Sequence, residues 1–312
     1  MSKRILITGA SGFVGRALLN ASTAYSVLAL GRTAPDNCTP FFQAPLNATA
    51  DYHAALQGIE VVIHAAARVH VMQEQVADPL AAYREINVAA TLNLARQAAV
   101  AGVKRFIFIS SIKVNGESTE VGKAFLASDK PAPQDAYGQS KAEAEQLLQQ
   151  LAAETAMELV IIRPPLVYGP GVKANFASLM RLAAKGLPLP FGAVHNARSM
   201  VAIDNLVSLI VCCIGHPAAA NQVFLVSDDH DVSLTELLRL MAAAAGKRSL
   251  LLPIPVSWFV LAGKLVKKQA VIDRLCGNLQ LDISHTKQTL GWAPVVSVEQ
   301  GIQRCFSNED VC

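Results

Sequence analysis

The sequence predicts an α/β protein in which a doubly wound parallel sheet is followed by a smaller mixed α/β domain. Short, continuous apolar runs alternate with longer segments of helical spacing through the first half of the chain. Strands of a parallel sheet are buried on both faces, so they read as unbroken apolar runs. A glycine-rich turn follows the first run, and after Pro164-Pro165 the pattern changes to Gly/Pro-rich loops with shorter helices.

The elements of the first half can be predicted in order. We expect strands where apolar, often β-branched residues stand together, and helices where Ala, Leu, Glu and Gln recur at helical spacing. The predicted strands are Ile5–Thr8, Val27–Leu30, Val61–His64, Phe106–Ile109 and Glu158–Ile162. The predicted helices are Val14–Ala21, Tyr83–Ala101 (which ends at Gly102, a good C-cap) and Ala136–Ala153.

The second half is predicted to return to the first domain. Met200–Ile203 reads as a strand, Leu206–Ile214 as a helix apolar enough to pack against the first domain, and Val223–Val226 as a buried strand. We therefore place a first domain at residues 1–165, with a returning segment near 198–216, and a second domain at residues 166–312.

Charge and hydropathy exclude several classes of protein. Of the 312 residues, 52% are hydrophobic and 16% are charged, which excludes a disordered chain. The 27 Lys+Arg nearly balance the 24 Asp+Glu, so we expect no nucleic-acid partner. The longest stretch without a charged residue, Asn205–Ser227, is broken by Gly215-His216-Pro217, so we expect no transmembrane helix.

The N-terminus, the cysteines and the histidines point to a reduced compartment. The first apolar run is too short for a signal peptide, the six cysteines show no CxxC spacing, and the seven histidines show no metal-binding pairing. We expect a cytoplasmic protein without a disulfide framework or a metal site. A helix near Trp258-Phe259 that skims a membrane surface stays open.

The turn after the first strand has the spacing of a dinucleotide-binding loop. Gly9, Gly12 and Gly15 form a GxxGxxG pattern between the first predicted strand and the first predicted helix. One glycine permits the tight turn, a second lets the backbone approach a pyrophosphate, and the third allows close packing of helix on strand. The helix N-terminus would face the phosphate charge. The pattern therefore predicts a dinucleotide-binding site.

The end of the second strand bears on which dinucleotide binds. NAD enzymes usually carry an acid near this point for the ribose 2′-hydroxyl. Here Arg32 stands instead, and no acid occurs until Asp36. Because a guanidinium suits a 2′-phosphate, we favour NADP(H), with NAD(H) possible. Arg32 could also stack on adenine or be solvated.

A pair of serines, a tyrosine and a lysine form a predicted catalytic group. Ser110-Ser111 stand at the C-terminal end of a strand, where ligands bind in open α/β sheets, and Tyr137 and Lys141 share one face of a helix. A tyrosine is a poor base at neutral pH unless a nearby ammonium stabilises its phenolate. Together these groups can move a proton on and off a carbinol oxygen while a nicotinamide moves the hydride.

These motifs resemble those of the extended short-chain dehydrogenases/reductases that act on sugar nucleotides, the NAD-dependent epimerase/dehydratase family. The shared motifs are TGASGFVG (8–15), HAAA (64–67), EINVAATLNL with Asn87, the Ser110-Ser111 strand end, YGQSK (137–141), RPPLVYGPG (163–171), RSMVAIDNL (198–206) and LGWAP (290–294). The resemblance covers essentially the whole chain. It implies a Rossmann-type dinucleotide-binding domain, a smaller nucleotide-sugar-binding domain, and a homodimer formed through the helices around 83–101 and 136–153.

The resemblance also assigns site residues. Ser111, Tyr137 and Lys141 become the catalytic triad, and Asn87 would support the lysine through a structural water. The implied cofactor-binding residues are Gly9, Gly12, Phe13, Val14, Gly15, Arg32, Ala65, Ala66, Ala67, Asn87, Ser110, Tyr137, Lys141 and Pro164. The implied binding residues for a UDP-sugar substrate are Ser111, Lys113, Asn175, Arg198 and Arg274, although each arginine could instead form an ordinary ion pair.

The sequence departs from the family pattern at three places. Val114-Asn115-Gly116 stands where VYG is common, Gln43-Ala-Pro-Leu46 stands where a Gly-Asp pair commonly contacts adenine, and the acid after the second strand is missing. The last two departures bear on which dinucleotide binds and how tightly it is held.

The resemblance leaves the reaction open. Ile112-Lys113 after Ser111 supplies no acidic pair, which argues against a 4,6-dehydratase. We expect an NAD(P)H-dependent 4-reductase of a UDP-linked 4-keto-6-deoxy-N-acetylhexosamine, in the synthesis of a surface polysaccharide such as O-antigen. The alternatives are a UDP-hexose or UDP-N-acetylhexosamine 4-epimerase and a non-catalytic dinucleotide-binding subunit.

Overall fold

Nine strands occur in the computed structural model, which describes residues 2–35, 40–69, 78–265 and 269–307; Asp36 lies outside these ranges. The described strands are β1 (Arg4–Thr8), β2 (Ser26–Gly31), β3 (Phe41–Gln43), β4 (Val61–His64), β5 (Arg105–Ile109), β6 (Glu158–Arg163), β7 (Leu166–Tyr168), β8 (Met200–Ala202) and β9 (Gln222–Leu225). Seven of them form one sheet in the order β3-β2-β1-β4-β5-β6-β9, in which every pairing is parallel.

Helices cover the sheet and build the remainder of the chain. The described α-helices are α1 (Phe13–Ala21), α2 (His53–Leu56), α3 (Pro79–Arg84), α4 (Thr91–Val100), α5 (Ala136–Glu154), α6 (Ala174–Ala184), α7 (Ile203–Gly215), α8 (Leu234–Ala244), α9 (Val256–Leu265), α10 (Gln269–Cys276), α11 (Ser284–Leu290) and α12 (Val298–Phe306). Among the described helices, none combines the length and the apolar character that crossing a membrane requires.

The core lies on both faces of the large sheet. Along β1, Ile5 and Ile7 belong to one buried cluster and Leu6 to another, because successive side chains of a strand point to opposite faces. Each such side chain contributes about 1.5–3 kcal/mol on burial. This double burial explains the unbroken apolar runs, and the predicted doubly wound α/β fold is confirmed.

The predicted elements are confirmed with two differences. The short strand β3 was not predicted, because three residues give no readable period. The single helix predicted over Tyr83–Ala101 begins earlier, at Pro79, and contains a wider π-helical turn at Glu85–Ala90 before α4. Such π turns are often found at functional sites, and this one carries Asn87.

A strand from the second half of the chain joins the large sheet. β9 is its seventh strand and pairs with β6, whereas β8 pairs with β7 in a separate two-stranded sheet. α7 packs its apolar side chains into the same cluster as β1 and β5, as predicted. The boundary at residues 165/166 stays a prediction.

A buried carboxylate ties the small sheet to the C-terminal part of the chain. Asp228 accepts hydrogen bonds from the backbone N–H of Ala202 (2.7 Å), from Asn205 Nδ2 (2.7 Å) and from the Tyr168 hydroxyl (2.6 Å). The Oδ1 atom of Asn205 in turn accepts from the backbone N–H of Val296 at 2.9 Å. Burial raises the pKa of Asp228, against the hydrogen bonds that it accepts. The network thereby joins β7, β8 and α7 to the segment before α12.

Candidate active site

The glycine turn is closed by backbone contacts that exclude side chains. Gly9 has φ +73°, and a Cβ atom there would lie 2.6 Å from the Ala66 nitrogen. At Gly15 a Cβ would lie 2.1 Å from the Gly9 oxygen, so α1 can approach β1 only without it. Gly12 is exposed and is the N-cap of α1. The N-terminus of α1 is thereby left open for a pyrophosphate, as the sequence predicts.

A buried histidine holds this turn against the sheet. His64 Nδ1 lies 2.7 Å from the Thr8 hydroxyl, and His64 Nε2 lies 2.9 Å from the Thr91 hydroxyl. Burial, and then the nearby Lys141, lower the pKa of His64 to about 3. The imidazole is therefore neutral and joins three elements of the fold. The HAAA motif gave the position of His64 but not these partners.

The predicted cofactor residues lie along the C-terminal edge of the sheet. Phe13 and Val14 begin α1, Ala65–Ala67 follow β4 beside the glycine turn, and Pro164 follows β6. Arg32 is exposed directly after β2, and its carbonyl accepts a hydrogen bond from Gln43 Nε2 at 3.2 Å. A narrow glycine cradle beside an open helix N-terminus fits a dinucleotide.

The lysine of the predicted triad is fully buried. Lys141 is 1% exposed, its Nζ donates to the Ile109 carbonyl at 2.8 Å, and it lies 4.4 Å from the centre of the Phe108 ring. Burial lowers the pKa of Lys141 to about 7, against the attraction of Glu145. The ammonium is therefore held one helical turn beyond Tyr137 in a place that disfavours its charge.

The tyrosine of the triad lies at the cavity surface. Burial raises the pKa of Tyr137, the charge of Asp135 raises it further, and a hydrogen bond from Ser111 opposes both. The ring meets that of Tyr83 edge-on, with the ring centres 5.9 Å apart. The structure therefore brings Ser111, Tyr137 and Lys141 together as predicted.

Asn87 acts on the catalytic helix through its neighbours. Its Oδ1 accepts from the Arg68 backbone N–H at 2.8 Å, and its Nδ2 donates to the Arg68 carbonyl (3.1 Å) and the Ser140 hydroxyl (3.0 Å). Ser140 in turn donates to the Tyr137 carbonyl at 2.8 Å. Asn87 thus orients the turn of α5 that carries Tyr137. Its support of Lys141 through a water stays a prediction.

A buried ionic network lies behind the catalytic residues. Ser110 Oγ donates to Glu145 at 2.5 Å, and the Arg163 guanidinium binds the same carboxylate, with Nη2 2.5 Å from Oε2. Arg163 Nη1 also donates to Asn115 Oδ1 at 3.0 Å, and Asn115 Nδ2 donates to the Leu126 carbonyl. Ser110, predicted to bind cofactor, therefore has a structural partner.

Sequence reasoning missed this network, although one signal for it was present. Arg163 ends an apolar strand that is buried from Leu159 onward, and a buried guanidinium requires a partner. The same network explains Asn115, which replaces the tyrosine that is common at this position.

A cavity of about 400 Å³ lies between the end of β5 and the second half of the chain. All five predicted substrate residues line it, together with Tyr137: they are Ser111, Lys113, Asn175, Arg198 and Arg274. Apolar side chains, among them Phe176 and Leu279, form much of the remaining wall. A mostly apolar cavity with a few convergent polar groups is typical of a small-molecule site.

Two guanidiniums give one side of the cavity a positive charge. Arg198 Nη1 donates to the Gly277 carbonyl at 3.1 Å, and burial and then the charge of Arg274 lower its pKa. The Arg274 side chain is 49% exposed, with Nη2 3.9 Å from Glu117 Oε2. Two cations that approach each other in a partly buried place are suited to a diphosphate. Asn175 lies near them at the exposed start of α6.

The described part of the chain contains no group of three or more His, Cys, Asp and Glu side chains placed to hold a metal ion.

Known proteins match the chain along most of its length. The model of a family described as "NAD dependent epimerase/dehydratase family" matches residues 5–227. Over 310 residues the chain is 54% identical to a UDP-glucose 4-epimerase of Vibrio cholerae, covering 97% of this chain and 94% of that protein. Identity to an N-acetyl-alpha-D-glucosaminyl-diphospho-ditrans,octacis-undecaprenol 4-epimerase of Escherichia coli O157:H7 is 28%, covering 100% of this chain and 96% of that protein.

Solved structures show the same fold. The crystal structure of a UDP-glucuronic acid 4-epimerase from Bacillus cereus, in complex with NAD, superposes with a TM-score of 0.77 and 22% identity. The match covers 97% of both chains. At this identity the likeness supports the α/β fold and carries no argument about the substrate.

Proposed function

The chain belongs to the NAD-dependent epimerase/dehydratase family, and we propose that it is a 4-epimerase of UDP-hexoses or UDP-N-acetylhexosamines. The observation that carries this proposal is the 54% identity with a UDP-glucose 4-epimerase over 97% of the chain. The cavity supports it, since Ser111 and Tyr137 share that cavity with two guanidiniums suited to a diphosphate. The sequence alone gave the 4-epimerase as an alternative to the 4-reductase, and the comparisons favour the 4-epimerase.

The proposed chemistry centres on the 4-hydroxyl of the sugar. Tyr137 takes the proton from this hydroxyl as a phenolate, and Ser111 holds the same oxygen by a hydrogen bond. Lys141 stabilises the phenolate by its charge from one turn along α5. A bound nicotinamide dinucleotide would accept the hydride from C4 and return it to the opposite face of the 4-keto sugar. Tyr137 then gives the proton back.

The far end of the cavity holds the nucleotide in this proposal. Arg198 and Arg274 bind the two phosphates, because a guanidinium can donate two parallel hydrogen bonds to the oxygens of a phosphate. Asn175 contacts the diphosphate or the uracil from the start of α6. The sugar would then reach Tyr137 with its C4 hydroxyl, at the opposite side of the cavity.

One residue favours a second candidate, the 4-reductase. Arg32 is exposed after β2, where it suits the 2′-phosphate of NADPH. A 4-reductase consumes its cofactor, whereas an epimerase regenerates it in each turnover. The family supports a nicotinamide dinucleotide in either case, and the preference for NADP(H) over NAD(H) stays part of this proposal.

The test compares two incubations of the purified protein. In the first, UDP-glucose and UDP-N-acetylglucosamine are incubated separately with NAD⁺, and the C4 epimers are measured by chromatography. The proposal expects interconversion without a net change in nicotinamide absorbance. In the second, a UDP-4-keto-6-deoxy-N-acetylhexosamine is incubated with NADPH. Stoichiometric loss of absorbance there, without interconversion in the first, would replace the epimerase by the reductase.

Inactivity in both incubations would favour the third hypothesis, a non-catalytic dinucleotide-binding subunit. An Arg32→Ser variant tests the cofactor preference, with Arg16→Ser, on the exposed side of α1, as the control. We expect Arg32→Ser to weaken NADP⁺ binding and to leave NAD⁺ binding nearly unchanged. A homodimer, a cytoplasmic location and a role in O-antigen synthesis stay predictions beside this proposal.

A further inference from the structure

Lys113 lies in the wall of the catalytic cavity, but its ammonium forms ion pairs with two carboxylates. It stands in the short 3₁₀ turn Ile112–Val114 that follows Ser111. Its Nζ donates to Glu117 Oε1 at 3.0 Å and makes a short contact to the Asp135 carboxylate. The side chain is 25% exposed. A group held in this way is a poor candidate for direct contact with substrate, the role that the family resemblance implied.

The backbone of the same residue touches the catalytic helix. A Cβ atom at Gly138 would lie 2.7 Å from the Lys113 carbonyl oxygen and 3.2 Å from the Lys113 Cβ. Gly138 follows Tyr137 directly in the first turn of α5. The loop that carries Ser111 and the turn that carries Tyr137 are therefore in van der Waals contact through Lys113.

Asp135 connects the ammonium of Lys113 with Tyr137. It is the N-cap of α5, and its Oδ1 accepts from the Gly138 backbone N–H at 2.7 Å. Burial acts to raise the pKa of Asp135, but the hydrogen bonds from Lys113 and Gly138 outweigh it and the pKa is lowered. Asp135 is thus an anion two residues before Tyr137, where its charge opposes formation of the phenolate.

Other charged or titratable groups complete the surroundings of Tyr137. Tyr83 faces its ring from α3, and Lys141 lies one turn along α5. Glu117 shares the ammonium of Lys113, and Arg274 approaches Glu117 from α10 at 3.9 Å. Lys113 is the cation that lies between the two carboxylates.

We propose that Lys113 is a positioning residue, which neutralises Asp135 at the start of α5 and packs the Ser111 loop onto the turn that carries Tyr137. This inference rests on the proposed role of Tyr137 as the proton-transferring group. Without the ammonium, the carboxylate of Asp135 would be uncompensated beside the phenol, and the phenolate would be harder to form. The role requires no contact between Lys113 and substrate.

The experiment measures the ionisation of Tyr137 directly. Ultraviolet difference titrations of the NAD⁺-loaded protein, each against the same protein carrying Tyr137→Phe, report the phenolate of this tyrosine alone. They require no sugar, so their outcome does not depend on whether the enzyme is an epimerase. The variants are Lys113→Met, Lys113→Arg, Asp135→Asn and the double variant Lys113→Met/Asp135→Asn. Circular dichroism confirms folding, and asparagine keeps the helix cap.

We expect the apparent pKa of Tyr137 to rise by about one unit in Lys113→Met, since a nearby charge shifts a pKa by about 1–3 units. Lys113→Arg should restore the wild-type curve, and Asp135→Asn should cancel the rise in the double variant. In the pH profile of kcat/KM, the acidic limb should move to higher pH together with the pKa of Tyr137. At a pH below that limb, kcat should fall about tenfold, and KM for the UDP-sugar should change little.

Identical titrations in the wild-type and Lys113→Met proteins, including no titration in either, would overturn the proposal. A rise in KM with an unchanged pH profile would do the same, and would assign Lys113 to the substrate. If the titrations shift as expected but no epimerisation occurs, the proposed function fails while the role of Lys113 stands. If Lys113→Met does not fold, the titrations of Lys113→Arg and Asp135→Asn decide whether Lys113 has this role.

Discussion

The two walls of the cavity differ in how their side chains are held. The catalytic wall, formed by Ser111 and Tyr137 with Lys141 buried behind them, stands on the end of β5 and the first turns of α5. The substrate wall, formed by Asn175, Arg198 and Arg274, stands on short helices and loops of the second half. Lys141 is 1% exposed, whereas the Arg274 side chain is 49% exposed.

The proposed function accounts for this difference, because it gives the two walls different tasks. Proton transfer requires distances fixed within fractions of an ångström, so buried partners such as Glu145 and Asn87 stand behind the catalytic wall. Binding a diphosphate tolerates more adjustment, because long guanidinium side chains can follow the ligand. The comparison predicts that changes in the catalytic wall alter turnover and stability, whereas changes in the substrate wall alter affinity.

The largest effect is expected from Tyr137→Phe. Removing the hydroxyl removes the proton-transferring group, so kcat should fall by about 10²- to 10⁴-fold, the usual contribution of acid–base catalysis. Affinity for UDP, measured by calorimetry, should stay within about twofold, because Tyr137 does not belong to the substrate wall. Tyr25→Phe is the matched control, since Tyr25 packs against the core outside the cavity. Full turnover by Tyr137→Phe would show that the catalytic wall does not supply the proton-transferring group.

A second test compares two carboxylates on α5. Glu145 is buried with Arg163 and Ser110, with side-chain exposures of 3% and 4% for the ion pair. Glu145→Ala leaves a buried guanidinium unpaired, so the free energy of unfolding should fall by about 3–5 kcal/mol. Glu143, also on α5, forms an exposed pair with Arg84 of α3. Glu143→Ala should lower the free energy of unfolding far less, because water screens that pair. Equal losses in denaturant titrations would contradict the comparison.

The sequence predicted much of the catalytic wall and its sheet. The period of apolar runs follows directly from burial on both faces, and the glycine turn and YxxxK spacing are local patterns that need no tertiary information. The family resemblance implied the substrate-binding residues Asn175, Arg198 and Arg274. The structure places all three in the lining of one cavity.

The support behind these residues could not be predicted in the same way. Glu145 and Arg163 are 18 positions apart, and His64 and Thr91 are 27 apart. Such partners meet only because α5 is a neighbour of β6 in space, and α4 of β4. A single sequence gives the charge of a residue but not the neighbour in the fold that neutralises it, so the partners of Ser110 and Lys113 could not be predicted.

The buried ammonium of Lys141, behind the catalytic wall, should make the stability of the protein depend on pH. Burial lowers the pKa of Lys141 to about 7 from its ordinary value of 10.5. Between these values the unfolded chain binds more protons, so the stability gained from this group grows as pH rises and is lost as pH falls toward 7. The slope is at most about 1.4 kcal/mol per pH unit. Denaturant titrations at pH 7 and above measure how the free energy of unfolding rises with pH, and Lys141→Met should make this rise smaller. An unchanged slope would show that Lys141 is not desolvated.

The smallest effects should separate the two arginines of the substrate wall. Arg198 is the more enclosed, is held by the Gly277 carbonyl, and has a lowered pKa caused by burial and then by Arg274. Its charge is therefore poorly screened, and Arg198→Met should weaken UDP binding by about tenfold or more, as expected for a charged hydrogen bond.

Arg274→Met should weaken UDP binding by no more than about fivefold, because its guanidinium is half exposed and lies 3.9 Å from Glu117. Calorimetric titration of UDP measures both arginine variants without any need for turnover. Thermal unfolding followed by circular dichroism separates lost affinity from lost structure. A larger loss from Arg274→Met than from Arg198→Met would mean that exposure does not rank the residues of this wall. The ligand would then have to draw Arg274 away from Glu117 and enclose it.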